Sequence, residues 1–214
     1  MTSLPTTPNA SAEAEADDAG PPCVMVFNAC DPSGAGGLAA DATAIASVGA
    51  HPLPVVTGAY VRDTAEVFDH HAFDEDAISE QARTILEDVP VQVIKVGFVG
   101  SPEAVSAIAE IASDYPDVPL IAYMPALGWW DEGAAEPYAD AFRELMLPQT
   151  TVLVGNHSTL WRWLLPDWSN ERAPTPRELA KAAADMGVPY TLVTGVPLPE
   201  QFVENVLASP QTVL

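Results

Sequence analysis

What most constrains this chain is a repeated alternation between short apolar runs and stretches with helical spacing. Val24-Met25-Val26-Phe27, Leu53–Thr57, Val91–Val96, Leu120–Tyr123, Thr151–Val154 and Tyr190–Thr194 each read as a short strand. Between them, Leu38–Val48, Asp74–Asp88, Ser101–Tyr115, Gly133–Met146, Ser158–Leu164 and Pro176–Met186 read as helices. Their ends carry the expected signals: Ser101-Pro102-Glu103 offers a capping hydroxyl, a first-turn proline and an acid, and Gly49 and Gly187 stop the helices before them. Strands that are apolar along their whole length are buried on both sides. The pattern therefore predicts an α/β fold, a mainly parallel sheet with helices on both faces. In such sheets ligands bind beyond the carboxyl ends of the strands. That rule selects the loops after Phe27, Thr57, Val96, Tyr123, Val154 and Thr194.

A chain of 214 residues suits one domain with a sizeable core. Residues 23–214 are expected to form it. Residues 1–22, rich in Thr, Pro, Ala, Glu and Asp and without apolar periodicity, are expected to be a disordered tail. Val203–Leu207 and Thr212–Leu214 read as further strands. Because the chain closes inside the second, with no covering helix, the domain is expected to be incomplete at its C-terminus.

Charge excludes several classes of partner. Thirty acidic residues against eight Lys and Arg give a net charge of -22, which repels nucleic acid and anionic lipid. No apolar run approaches the roughly 20 residues of a membrane span. Glu13, Glu15, Asp17 and Asp18 stand where a signal peptide would be basic, so a cytoplasmic protein is expected. With so few cationic side chains, any phosphate site must rely on backbone N–H groups, a helix N-terminus and a bound cation.

Cys23 and Cys30 form neither a metal-site spacing nor a disulfide framework, and Cys30 is expected as a small buried filler, with a reactive thiol beside the Gly-rich loop as the alternative. His51, His70, His71 and His157 also lack ligand spacing, and His70-His71 reads as part of a solvated acidic loop with Asp69. Trp129-Trp130, Trp161, Trp163 and Trp168 read as core packing, with a lid over an aromatic ligand or a partner surface as the alternatives.

The strongest motif is Asn28-Ala29-Cys30-Asp31-Pro32-Ser33-Gly34-Ala35-Gly36-Gly37-Leu38-Ala39-Ala40-Asp41. It has the form of a strand, a tight Gly-rich turn and a helix N-terminus, which brings backbone N–H groups close to a ligand. Asp31 and Asp41 flank the turn, in position to accept hydrogen bonds from ligand amines. No Lys-Ser/Thr follows the glycines, and their spacing is not G-x-G-x-x-G, so neither a Walker loop nor a dinucleotide fingerprint is present.

This segment resembles the D-P-S-G-G-A-G-x-x-A-D signature of the hydroxymethylpyrimidine/phosphomethylpyrimidine kinases of thiamine synthesis. The resemblance continues through Ile45–His51, Pro54–Ala59, Lys95-Val96-Gly97-Phe98, Leu147-Pro148-Gln149 leading to Asn156, and Met186-Gly187 leading to Thr194-Gly195. It implies a ribokinase-like fold and ATP-dependent phosphorylation of a small pyrimidine with Mg²⁺, chemistry that needs positioning and charge neutralisation above all. It places the pyrimidine against the Gly-rich loop near Gly36 and Asp41, with Tyr60, Arg62 and Phe98 lining the pocket. Asn156 matches the Asn of an N-x-x-E motif associated with magnesium and phosphate. A homodimer, frequent among such relatives, is compatible with the resemblance.

The departures are specific. Arg62 stands where the family commonly has Gln, and an Arg only donates. Two readings of it remain: a grip on an anionic ligand group, or pairing with Asp63 or Glu66 on a loop. The family's D-P-V-M strand end is Ala122-Tyr123-Met124-Pro125, and Gly128-Trp129-Trp130 replaces the stretch where a Lys follows. Thr159 stands where the Glu of N-x-x-E belongs, and a Lys-Gly-Gly pattern has become Thr194-Gly195-Val196. No G-T-G-C or G-A-G-D type segment occurs in the 214 residues, so no catalytic residue is assigned. The expectations are a thiamine-pathway pyrimidine kinase whose present chain is inactive, a non-catalytic pyrimidine-binding paralogue, or a vitamin kinase of pyridoxal type.

Overall fold

The computed structural model describes residues 20–213. Most of the expected tail, residues 1–19, lies outside the described residues. One sheet of eight strands, in the order β3-β2-β1-β4-β5-β6-β7-β8, organises the molecule. The strands are β1 Cys23–Cys30, β2 His51–Arg62, β3 Val67–Ala72, β4 Val93–Val96, β5 Leu120–Met124, β6 Val152–Asn156, β7 Tyr190–Pro197 and β8 Val203–Ala208. All neighbours from β2 to β7 pair in parallel, and the two edges, β3 on β2 and β8 on β7, are antiparallel. The helices are α1 Gly37–Ser47, α2 Glu75–Leu86, α3 Pro102–Ser113, α4 Glu132–Ala141, α5 His157–Leu164 and α6 Pro176–Ala184.

The predicted parallel core is present, and the differences lie at its margins. β3 occupies residues expected as an acidic loop, so His70 and His71 are strand residues. The expected helix over Gly133–Met146 changes at Phe142 from α4 into a wider π turn, then into a short 3₁₀ segment at Leu147–Gln149. The strand expected at Thr212–Leu214 reduces, within the described residues, to one bridge from Val213 to Ala208.

The chain runs from β1 outward to β2 and β3, then crosses back over β1 to β4 and onward. Right-handed crossovers place α1 on one face and the helices from α2 onward on the other. The second group buries a continuous apolar layer that includes Ile78, Ile94, Val96, Ile108, Leu120, Leu153, Leu179 and Val193. Most of these helices are capped as their sequences predict: Asp74 accepts from the Ala77 N–H at 2.7 Å, and Ser101 from the Ala104 N–H at 3.0 Å. Thr175 and Glu178 form a capping box. On the other face, among the described residues, α1 packs on β1 and β2. The uncharged row Tyr123, Val154, Leu192 and Leu207, aligned across four strands, is only partly covered there.

Candidate active site

The direction of chain progression reverses between β1 and β4, which makes that junction the sheet's topological switch point and opens a crevice at the strand ends. The Gly-rich segment fills it. The N-cap of α1 is Gly36, which offers no capping side chain, and the helix's first turn holds no acid. Its first N–H groups are therefore not all matched by side chains, the arrangement suited to a polar or anionic ligand group.

Asp31 holds the loop's shape. It is 5% exposed. One carboxylate oxygen accepts from the Ser33 N–H at 2.8 Å and the Ser33 hydroxyl at 2.6 Å. The other meets Arg62 Nη1 at 3.1 Å. Burial pushes the Asp31 carboxyl up, but the Ser33 bonds, the Arg62 guanidinium and the Gly36 N–H outweigh it, leaving the group below its ordinary value. Arg62 thus lies in β2 and is paired with Asp31, not with the acids beside it in sequence. Towards Asp63 it donates only to the backbone carbonyl, at 2.9 Å. Asp31 thus engages Nη1, and the Asp63 carbonyl engages Nε.

A second polar group braces the crevice from below. Asp41 pairs with Lys95 at 2.5 Å and accepts from Asn28 Nδ2 at 2.7 Å. The Asn28 carbonyl oxygen accepts from the Ala29 and Phe98 N–H groups, at 2.9 and 3.2 Å. Gly97 lets this side chain in, because a Cβ there would collide with the Asn28 amide. Asp41 therefore reaches the ligand side only as part of a braced ion pair.

An aromatic cluster packs beside the crevice, with Phe98 buried at its centre and Tyr60 partly exposed. Tyr60 and Phe98 stack at 5.5 Å with planes 20° apart. His70, from the β3 edge, meets Phe98 at 4.8 Å and Tyr60 at 5.4 Å. Burial and then His71 hold its imidazole down, at about 4, and its buried Nε2 has no hydrogen-bond partner. Burial raises the Tyr60 phenol, with Tyr138, Tyr123 and Asp31 adding to the effect.

The structure therefore brings Asp31, Gly36, Tyr60, Arg62 and Phe98 to one place, with Asp41 beneath. Asn156 stands apart: it ends β6, three strands from β1, or about 14 Å at the usual strand spacing. Its side chain caps α5, accepting from the Ser158 N–H at 3.0 Å and the Ser158 hydroxyl at 2.9 Å. Thr159 lines an adjacent groove of about 560 Å³ with Met124, Glu132, Glu136, Arg162 and Trp163. Among the described residues, no three His, Cys, Asp or Glu side chains cluster to hold a metal ion, and Asn156 is committed to its cap. These residues do not fit a protein-held magnesium ion.

Sequence reasoning left His70 in a solvated loop and weighed Trp129 as a ligand lid only as an alternative to core packing. The one available signal was the Trp-Trp pair in a loop after a strand end. Cys30 is exposed, not the buried filler expected, because the β1–β2 register shifts between Asn28 and Cys30.

A mainly parallel sheet with antiparallel edges and a Gly-rich helix start at its switch point define a ribokinase-like α/β protein. The chain belongs to the phosphomethylpyrimidine kinase family, whose family model matches residues 31–214. It is 29% identical over 177 residues to the hydroxymethylpyrimidine/phosphomethylpyrimidine kinase of Mycobacterium tuberculosis, covering 82% of this chain and 64% of that one. With the chloroplastic thiamine biosynthetic bifunctional enzyme of Arabidopsis thaliana it shares 27% identity over 180 residues, 84% of this chain and 34% of that one. It thus spans less than two thirds of the length of these curated relatives. The fold is similar to the crystal structure of phosphomethylpyrimidine kinase from Clostridium difficile, with TM-score 0.76, 18% identity, and coverage of 91% of this chain and 83% of that one. It is equally similar to Bacillus subtilis pyridoxal kinase in its ADP complex, with TM-score 0.76, 20% identity, and coverage of 90% and 73%. No helix among the described residues is long and apolar enough to cross a membrane.

Proposed function

We propose that this protein is the pyrimidine-binding portion of a cytoplasmic, ATP-dependent phosphotransferase of thiamine biosynthesis, acting on hydroxymethylpyrimidine or its monophosphate. The observation that carries the reading is the pairing of two unlike walls in one crevice. On one side stand the uncapped start of α1 and the Asp31–Arg62 pair; on the other, the partly exposed Tyr60 ring, backed by the buried Phe98. An aminopyrimidine has the same two characters, a flat ring and a hydrogen-bonding edge. The complexes of related kinases with ADP support ATP as the phosphoryl donor. Magnesium belongs to this reading only as a companion of the nucleotide, because the described residues offer it no carboxylate set.

Within these 214 residues phosphoryl transfer is expected to be negligible. Asn156 serves as a cap, Thr159 replaces a carboxylate, and no Gly-rich anion-hole segment occurs elsewhere in the sequence. Calorimetry with the purified chain tests the reading. Hydroxymethylpyrimidine is expected to bind, and magnesium–ATP to bind at least tenfold more weakly. Tighter binding of pyridoxal than of hydroxymethylpyrimidine would transfer the assignment to a pyridoxal-type kinase, and no binding of either ring would end it.

A further inference from the structure

The loop from Pro125 to Asp131 joins β5 to α4 and carries Gly128-Trp129-Trp130. The two indoles stack on each other, with centroids 5.8 Å and planes 19° apart; both meet the buried Phe98, and they differ in their second neighbour. Trp130 meets Phe98 edge-on at 5.1 Å and Tyr138 at 5.6 Å, two rings of the core. Its backbone N–H donates to the Leu127 carbonyl at 3.0 Å, closing the turn. Trp130 is the anchor.

Trp129 reaches the pocket instead. It meets Tyr60 at 5.8 Å and Phe98 at 5.6 Å, in both cases with planes 72° apart. Tyr60 and Arg62 are two residues apart on β2, so their side chains leave the same side of the strand. The Trp129 indole therefore stands on the aromatic side of a crevice whose polar side is Asp31 and Arg62. It is only partly buried, as is Trp130. An edge-on, partly exposed indole has surface left for a ligand. Electron-poor heteroaromatic rings gain from contact with an electron-rich indole.

We propose that Trp129 is a ligand-contacting wall of this pocket and helps select a flat heteroaromatic ring, with Trp130 fixing the loop that carries it. The proposal rests on the pyrimidine reading above and adds to it a specific contact.

The test is a titration of the full 214-residue chain with hydroxymethylpyrimidine, followed by calorimetry and by tryptophan emission. The unaltered protein is expected to bind with quenched emission. Trp129→Ala is expected to weaken binding about tenfold and to remove most of the quench. Trp129→Phe keeps a ring, so it should bind within about threefold while losing the quench. Trp168→Phe is the control: Trp168 lies beyond α5 beside Arg172, with the guanidinium 5.7 Å from its ring, and its replacement should alter neither signal. Wild-type affinity in Trp129→Ala, or a quench that persists in Trp129→Phe, overturns the proposal while leaving the pyrimidine reading intact. No binding by the unaltered chain removes both. If Trp129→Ala does not fold, the quench in Trp129→Phe decides.

Discussion

Gly37→Ala is expected to destabilise the protein by about 3 kcal/mol and to abolish pyrimidine binding, the first through strain and clash in the loop. Gly37 opens α1 with φ +62°, in the left-handed region that a residue with a Cβ occupies at a cost of about 1–2 kcal/mol. A Cβ there would lie 2.5 Å from the Ala29 carbonyl oxygen and 2.8 Å from the Asp31 Cβ. Ala29 is fully buried beside the end of β4, so the backbone it belongs to cannot simply move aside. The loop would have to open, carrying Asp31 away from Arg62. Gly34 provides the comparison. Its φ is +69°, but no atom lies within 4 Å of its Cβ position, so Gly34→Ala should cost only the conformational share, about 1 kcal/mol. Urea unfolding of the two variants reads the difference directly.

The second large effect is expected at Asp31. Asp31→Ala removes the acceptor of the two Ser33 bonds and the partner of Arg62, and leaves a half-buried guanidinium whose side chain is 19% exposed. Breaking a fully buried pair costs about 3–5 kcal/mol, and the partial exposure of Arg62 brings the expected loss nearer 2–3 kcal/mol. Asp31→Asn keeps the shape and one acceptor but not the charge, and should lose about half as much. The lowered carboxyl value sets the pH dependence. Because folding depresses it below 3.8, the stabilisation is complete above that pH and fades as acid protonates the folded group. The difference between wild type and Asp31→Asn in unfolding free energy should therefore be constant near neutrality and shrink below about pH 4. A difference that grew on acidification would show that Asp31 is not held as an ion.

The sheet was readable in advance because β1, β4, β5, β6 and β7 are mostly apolar, and because Ser101-Pro102-Glu103 marks a helix start. β3 was not readable. Val67-Phe68-Asp69-His70-His71-Ala72 has little apolar alternation, and it forms a strand by pairing with a β2 that runs to Arg62 instead of ending at Thr57. The same extension explains why neither Asp63 nor Glu66 is the acid paired with Arg62. In sequence Asp63 and Glu66 are its nearest acids, whereas Asp31 is brought to it by parallel pairing of β1 with β2, up to Cys30 opposite Ala59. The Gly-rich motif located the crevice, but the aromatic wall depended on contacts between β2, β4 and the β5–α4 loop. No local pattern shows that Trp129 reaches Tyr60 across that distance in sequence.

The most direct measurement is amide and indole chemical-shift mapping during titration with hydroxymethylpyrimidine. The account predicts saturable shifts at Ser33, Gly36, Gly37, Tyr60, Phe98 and the Trp129 indole, with Thr159 and Arg162 unmoved. Saturable shifts centred on Thr159, Arg162 and Trp163, with the Gly-rich loop silent, would contradict it.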